Sequence, residues 1–434
     1  MKKVFIYIMG LTLAAGQLKA QETVYPAPAQ KGRIYLTHAT IHVGNGQVVQ
    51  DGTIAFENGK IIAVGANVPI PQGDVKVFDV KGQHIFPGVI VPDSNLGLTE
   101  VEAVRSTNDY DEVGVINPSI RSLISYNTDS KVINTLRSNG ILLAQTVPQG
   151  GLITGSSSVV QLDAWNWEDA AYKTDNGLHF YMPRLMGRSS AFGPGGLPVG
   201  GADPVKAALD RIETVKAFFR EAKAYLAVDK HAETNLKYES VKGLFSKQQK
   251  LFIHCDLVKE ILVAMDMAKE FGFDIVIVGG ADSWLVTDLL KQNNVPVVLG
   301  QPHALPVTQD DDVDQPYKTA AQLQKAGVLF CISNEGFWQQ RNLSFLAGTA
   351  SAYGLTKEEA LSAVTFNAAK ILGIADKTGS LEVGKDANIV VSKGDILDMK
   401  TNHVTQAFIQ GREISLDNKH KQLYDRYKHK YNLQ

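Results

Sequence analysis

Cysteine is nearly absent: the 434-residue chain has two, Cys255 and Cys331. Each lies in an apolar, strand-like run, where cysteine behaves as a small hydrophobe. The reading is two unpaired thiols, with a pairing in an oxidising compartment left chemically open. Excess basic charge is also missing. The 43 Lys and Arg stand against 45 Asp and Glu, a formal net charge of −2, and no basic stripe interrupts that balance, which excludes a nucleic-acid binder. Low-complexity and disorder-type stretches are lacking as well. The apolar run "VFIYIMGLTLAAG" near the start has 13 residues, short of the ~20 that a membrane span needs. Lys2 and Lys3 precede it and the small residue Ala20 follows it, the pattern of a secretory signal. Cleavage before Gln21 removes three lysines and no acid, moving the charge from −2 to −5. The expectation is an exported protein with no membrane span once residues 1–20 are removed.

With 44% hydrophobic and 20% charged residues, the chain suits a well-packed globular protein of two or more structural units. From Gly32 to Phe86 it alternates like short strands, broken by the hairpin signals Asn45-Gly46 and Asn58-Gly59. A matching stretch runs from Gly379 to Ile414. Neither has enough residues for its own core, so the two are expected to pair as a small β-sandwich built from both chain ends. Between them the texture becomes βα. Candidate buried strands are 141–147, 250–254, 274–280, 295–300 and 327–333, nearly continuous apolar runs. Asp203 with Pro204 starts a helix running to about Asp229, and Thr356 with Glu359 forms a capping box. The segment after Asp417 reads as a short basic surface helix.

These features carry a resemblance. "FPGVI" (86–90), "LFIHCD" (251–256) and "TKEEALSAVTFNAAKILGI…GSLEVGKDANIVV" (356–391) resemble the amidohydrolase superfamily, in its imidazolonepropionase-like branch. The resemblance implies an α/β fold: a TIM-like (β/α) barrel over 87–377, with the sandwich at 21–86 and 378–416 and a helical tail at 417–434. It implies a metal-dependent hydrolase of non-peptide C–N bonds, amide or cyclic imide, with its site at the C-terminal mouth of the barrel. It also implies the ligands: a His-x-His pair on strand 1, a bridging Lys or Glu on strand 4, one His each on strands 5 and 6, and an Asp on strand 8 that doubles as general base.

The chain departs from that pattern. Asp93 and Asn95 take the positions of the histidine pair, and His254 keeps the strand-5 position. Gly279 and Gly280 stand near the strand-6 histidine, and Asn334 replaces the strand-8 Asp. No lysine falls in a strand-like run between 150 and 200. An amide is a weak zinc ligand and does not accept a proton near neutral pH. The candidate metal ligands are therefore His254, Asp93 and Asn95, and the candidate catalytic residues are His254, Asn334 and His303. One divalent ion, zinc or a harder cation, is expected to be weakly held, or none at all.

Glu335, Asp256 and Asp282 are further carboxylates near the mouth; Glu335 is expected to point away, being one residue out of register. Trp165 and Trp167, in the segment 145–169, either stack on a ligand or belong to a hairpin over the barrel edge. The Gly/Pro-rich loop 187–204 reads as a lid or a binding loop, and the acidic run Asp310–Asp314 as a solvated loop. Three functions stay open: a hydrolase with a reduced metal site, a catalytically inactive pseudoenzyme that binds a small molecule or partner, and metal-free chemistry on His254 or His303. A small-molecule ligand is expected; oligomeric state is left open.

Overall fold

The computed structural model describes residues 24–186 and 203–433. The signal segment 1–20 and most of the loop 187–204 lie outside them. Five strands open the chain: β1 (Arg33–His42), β2 (Val48–Glu57), β3 (Lys60–Gly65), β4 (Val75–Asp79) and β5 (His84–Pro87). The β2–β3 turn is Asn58-Gly59, with φ of 51° and 78°, the left-handed pair that such a two-residue hairpin demands.

Eight further strands follow: β6 (Val89–Ser94), β7 (Ile141–Thr146), β8 (Ile153–Gln161), β9 (Ala171–Tyr181), β10 (Lys250–Cys255), β11 (Ile275–Gly279), β12 (Val297–Leu299) and β13 (Phe330–Ile332). They lie side by side in chain order as a nearly closed barrel. Across the seam between its first and last strands, Ser333 Oγ donates to Pro92 O at 2.9 Å. The expected strands appear; four are trimmed by a residue or more, and 250–254 extends by one to Cys255.

One expectation is corrected. The segment 145–169 neither lines the mouth with tryptophans nor covers an edge. It supplies β8, buried along its whole length and antiparallel to both β7 and β9. The link 147–152 is too short for the crossover that a parallel neighbour needs, so the chain must turn straight back. Trp165 ends up 64% exposed beside Tyr25, with ring centroids 6.0 Å apart.

Helices cover the barrel. Asp203 caps Pro204–Leu226 through Val205 N, and the capping box of Thr356 and Glu359 opens Lys357–Ala363. After them come β14 (Ile389–Ser392), β15 (Val404–Ile409) and β16 (Arg412–Glu413). These join the opening strands in one sheet, ordered β16-β15-β14-β5-β1-β2-β3 with β4 on β1. Ile389 and Val391 enter that sheet's own core with Leu36, Phe56 and Phe408, while Val390 between them packs into the barrel core. The sheet is thus a shared wall, which explains why β14 is apolar on both faces. The tail helix Lys419–Lys430 buries none of its residues.

Asp163 fastens these parts together. Its carboxylate takes Arg137 from the helix Lys131–Arg137, Arg412 of β16 at 2.7 Å and the backbone N–H of Ala27 at 2.8 Å. Gly177 of β9 is a packing requirement: a Cβ there would lie 2.3 Å from the Phe252 ring, the ring on which His179 stacks at 4.9 Å. Gly177→Ala is expected to cost about 1–3 kcal/mol by overpacking, checked by denaturant unfolding.

Candidate active site

The register of β9 and β10 sets the site. Phe252 lies opposite His179 and His254 opposite Tyr181, and residues two apart on a strand share a face. The four rings accordingly stack inside the barrel: His254 on Tyr181 at 3.8 Å and 12°, His179 on Phe252 at 14°. His179 Nδ1 meets His254 Nε2 at 2.9 Å, and His179 Nε2 meets Ser157 Oγ at 2.8 Å. Gln145 Nε2 donates to Ser157 Oγ at 2.9 Å, while Ser157 can pass its own proton to Asn176 Oδ1 or Gly177 O. In that arrangement His179 Nε2–H donates to Ser157, and Nδ1 is left with a lone pair facing His254. A partner on the far nitrogen commonly fixes the tautomer of a metal-binding imidazole in this way.

Asp93 completes the group from the end of β6. Its φ is +54°, a left-handed conformation that Asp tolerates better than most residues. The ladder to β7 shifts register between Val91 and Ser94, and Gln145 Oε1 accepts the Asp93 N–H at 3.2 Å. The bend sends the carboxylate toward His254, with Oδ2 3.9 Å from Nδ1. Burial depresses His254 to about 3 and holds His179 well below the ordinary imidazole range, so both rings are neutral at pH 7. Burial, with the Glu335 charge adding to it, pushes Asp93 up to about 7.

The cavity above the group has a volume of about 310 Å³, with Asp93, Asn95, His254, Asp256, Asn334 and Glu335 in its wall. Asn334 is buried and spends its Nδ2 on Gln339 O at 2.7 Å. Asn95 Nδ2 reaches Thr99 Oγ1 at 3.4 Å. His303 is not brought to this cavity. It is exposed, 3.0 Å from Thr349 Oγ1, in a neighbouring groove that Asn334 also lines. Glu335 does not point away: β13 stops at Ile332, the chain turns at Gly336 with φ of +73°, and strand alternation no longer governs its direction.

Among the described residues Asp93, His179 and His254 form a group whose ligand atoms all lie within 4.8 Å of one another. Two neutral imidazoles and one carboxylate match the three protein ligands of a catalytic zinc site, so the donor set fits one ion. His179 escaped the sequence reading. The alternation of "NGLHFYM" (176–182) was its signal. Counting β8 as the third barrel strand makes β9 the fourth, where the resemblance placed a bridging ligand.

The amidohydrolase family profile matches residues 199–414. A crystal structure of an amidohydrolase from Thermotoga maritima superposes with a TM-score of 0.75 at 26% identity, covering 88% of this chain and 99% of that one. The chain belongs to the amidohydrolase family. Within the family it is similar to imidazolonepropionases at low identity. That of Mesorhizobium japonicum is 26% identical over 373 residues, 79% of this chain and 87% of the relative. That of Streptococcus sanguinis is 25% identical over 403 residues, 85% and 91% of the two chains. Against this amidohydrolase background the sheet from both chain ends, the barrel and the site at its mouth fall into one layout.

Proposed function

We propose that the protein is an exported hydrolase of non-peptide C–N bonds, amide or cyclic imide, working with a single divalent ion held by Asp93, His179 and His254. The convergence of those three side chains beside an open cavity, in an amidohydrolase chain, carries the reading. A divalent ion there would lower the pKa of a water to near ~7 and polarise the substrate carbonyl. His179, oriented by Ser157 and Gln145, keeps a neutral nitrogen directed at the site. Asp93, whose carboxyl burial makes reluctant to ionise alone, becomes a willing anion beside a cation. Asn334 has no proton-accepting capacity, so Glu335, exposed at the cavity rim, is the carboxylate that would accept a proton from a water in the cavity.

The test is metal content together with amide hydrolysis. Glu335→Gln is expected to lower kcat about 10²-fold with metal content unchanged. A Glu335→Gln enzyme of full activity removes that role.

Asn334 also favours a second reading, a pseudoenzyme that binds a small molecule, because the end of β13 offers no carboxylate. Metal-free protein that binds ligands without turnover would support it. We also read the chain as a signal at 1–20, a barrel over 87–377 and a tail at 417–434. The sheet of 21–86 and 378–416 is read as curling into a small sandwich around Leu36, Phe56, Ile389 and Phe408.

A further inference from the structure

The cavity at His254 continues past the three-residue group. A second chamber of about 150 Å³ opens beside it, and the two share Asp256, Gly279, Gly300 and Glu335 in their walls. Leu299, Leu305 and Pro306 give the chamber an apolar side. Asp256, Asp282, Asp311 and Glu335 supply carboxylates, and among the described residues no Lys, Arg or His lines it. Asp256 is paired with Arg184 at 3.2 Å. The other three meet no cation among the described residues. Asp282 is the most telling. It is 5% exposed, and its carboxylate accepts Val258 N–H at 2.9 Å but reaches no other donor among the described residues. A buried carboxylate is costly unless it is paired and hydrogen-bonded, and a cleft walled by one sign of charge concentrates the opposite sign.

We infer that this chamber is a subsite for the far end of the substrate, and that the substrate carries a protonated amine on an apolar stem. The inference takes its reacting bond from the hydrolase reading above, but the binding preference stands on the chamber alone. Asp282 and Asp311 would meet the ammonium, and the Leu299–Leu305 side would pack along the stem.

Calorimetric titration of the full chain with three amides of equal length tests this: 6-aminohexanamide, heptanamide and adipamic acid, which end in a cation, a methyl and an anion. The cation is expected to bind about tenfold or more tighter than the other two, as a charge-assisted hydrogen bond allows, with the gap narrowing as salt is added. Asp282→Asn and Asp311→Asn should each cut that preference about threefold or more, with metal content and melting temperature unchanged. Asp311 is only half-buried, so its variant stays folded if the buried Asp282→Asn does not. Equal binding of the three amides, a preference for the acid, or a preference that survives both substitutions overturns the subsite. If no amide is hydrolysed but the cation preference holds, the hydrolase reading falls and the subsite stands. Hydrolysis without charge preference does the reverse.

Discussion

His179→Asn is expected to give a folded protein that no longer retains a divalent ion and hydrolyses amides at least about 10³-fold more slowly, because the water-activating ion is gone. The expectation follows from position. His179 is fully buried, and one of its nitrogens is committed to Ser157 at 2.8 Å while the other faces His254 at 2.9 Å. Asparagine can set its amide only where Nδ1 lies, beside His254, where a neutral amide is a weak metal ligand, and it is too short to reach Ser157 from the Nε2 position. Metal analysis by mass spectrometry and steady-state rates check it together. Ser157→Ala is the informative partner variant: it leaves both imidazoles in place but removes the group that fixes the His179 tautomer. Loss of such an orienting partner commonly weakens metal affinity about 10–100-fold. A His179→Asn protein with undiminished metal content would show that Asp93 and His254 do not need it.

Asp163→Ala has the largest expected effect on stability, about 3–5 kcal/mol, the usual cost of removing one partner from a buried ion pair. Arg137 is 3% exposed and would keep its charge in the interior with no counterion. The same substitution frees Arg412 and the Ala27 N–H, so barrel, sheet and opening segment all lose an attachment. Denaturant unfolding should show a lower midpoint, and the segment before β1 should become more susceptible to protease. The contrasting case is Arg33–Glu57 at 3.0 Å, whose side chains are each about one-third exposed (36% and 34%). Glu57→Gln should cost under ~1 kcal/mol, as exposed pairs generally do. Equal losses for the two variants would contradict the assignment of Asp163 as a fastening point.

The fold was legible where local chemistry decides it. Asn58-Gly59, Asp203-Pro204 and the box of Thr356 and Glu359 each encode a backbone geometry in a few residues, and the continuous apolar runs marked the strands buried on both faces. β8 was not legible, because its Gly, Ser and Thr residues resemble a loop. Their burial comes from the neighbours β7 and β9 rather than from their own hydrophobicity. The site was half legible. His254 and Asp93 sit at strand ends where a mouth was expected. His179 lies within a strand, and only the pairing of β9 with β10 brings it to His254. Glu335 was misdirected because strand alternation was carried three residues beyond the end of β13 at Ile332. Asp256 and Asp282 were legible as carboxylates near the mouth, but the acid-walled chamber was not, since Asp256, Asp282, Asp311 and Glu335 come together only through four separate loops.

The most direct measurement is anomalous diffraction at the zinc edge from crystals of the full chain soaked in zinc. One peak per chain is expected, within bonding distance of Asp93, His179 and His254 together. No peak there, or two ions bridged across the barrel mouth, would contradict the single-ion account.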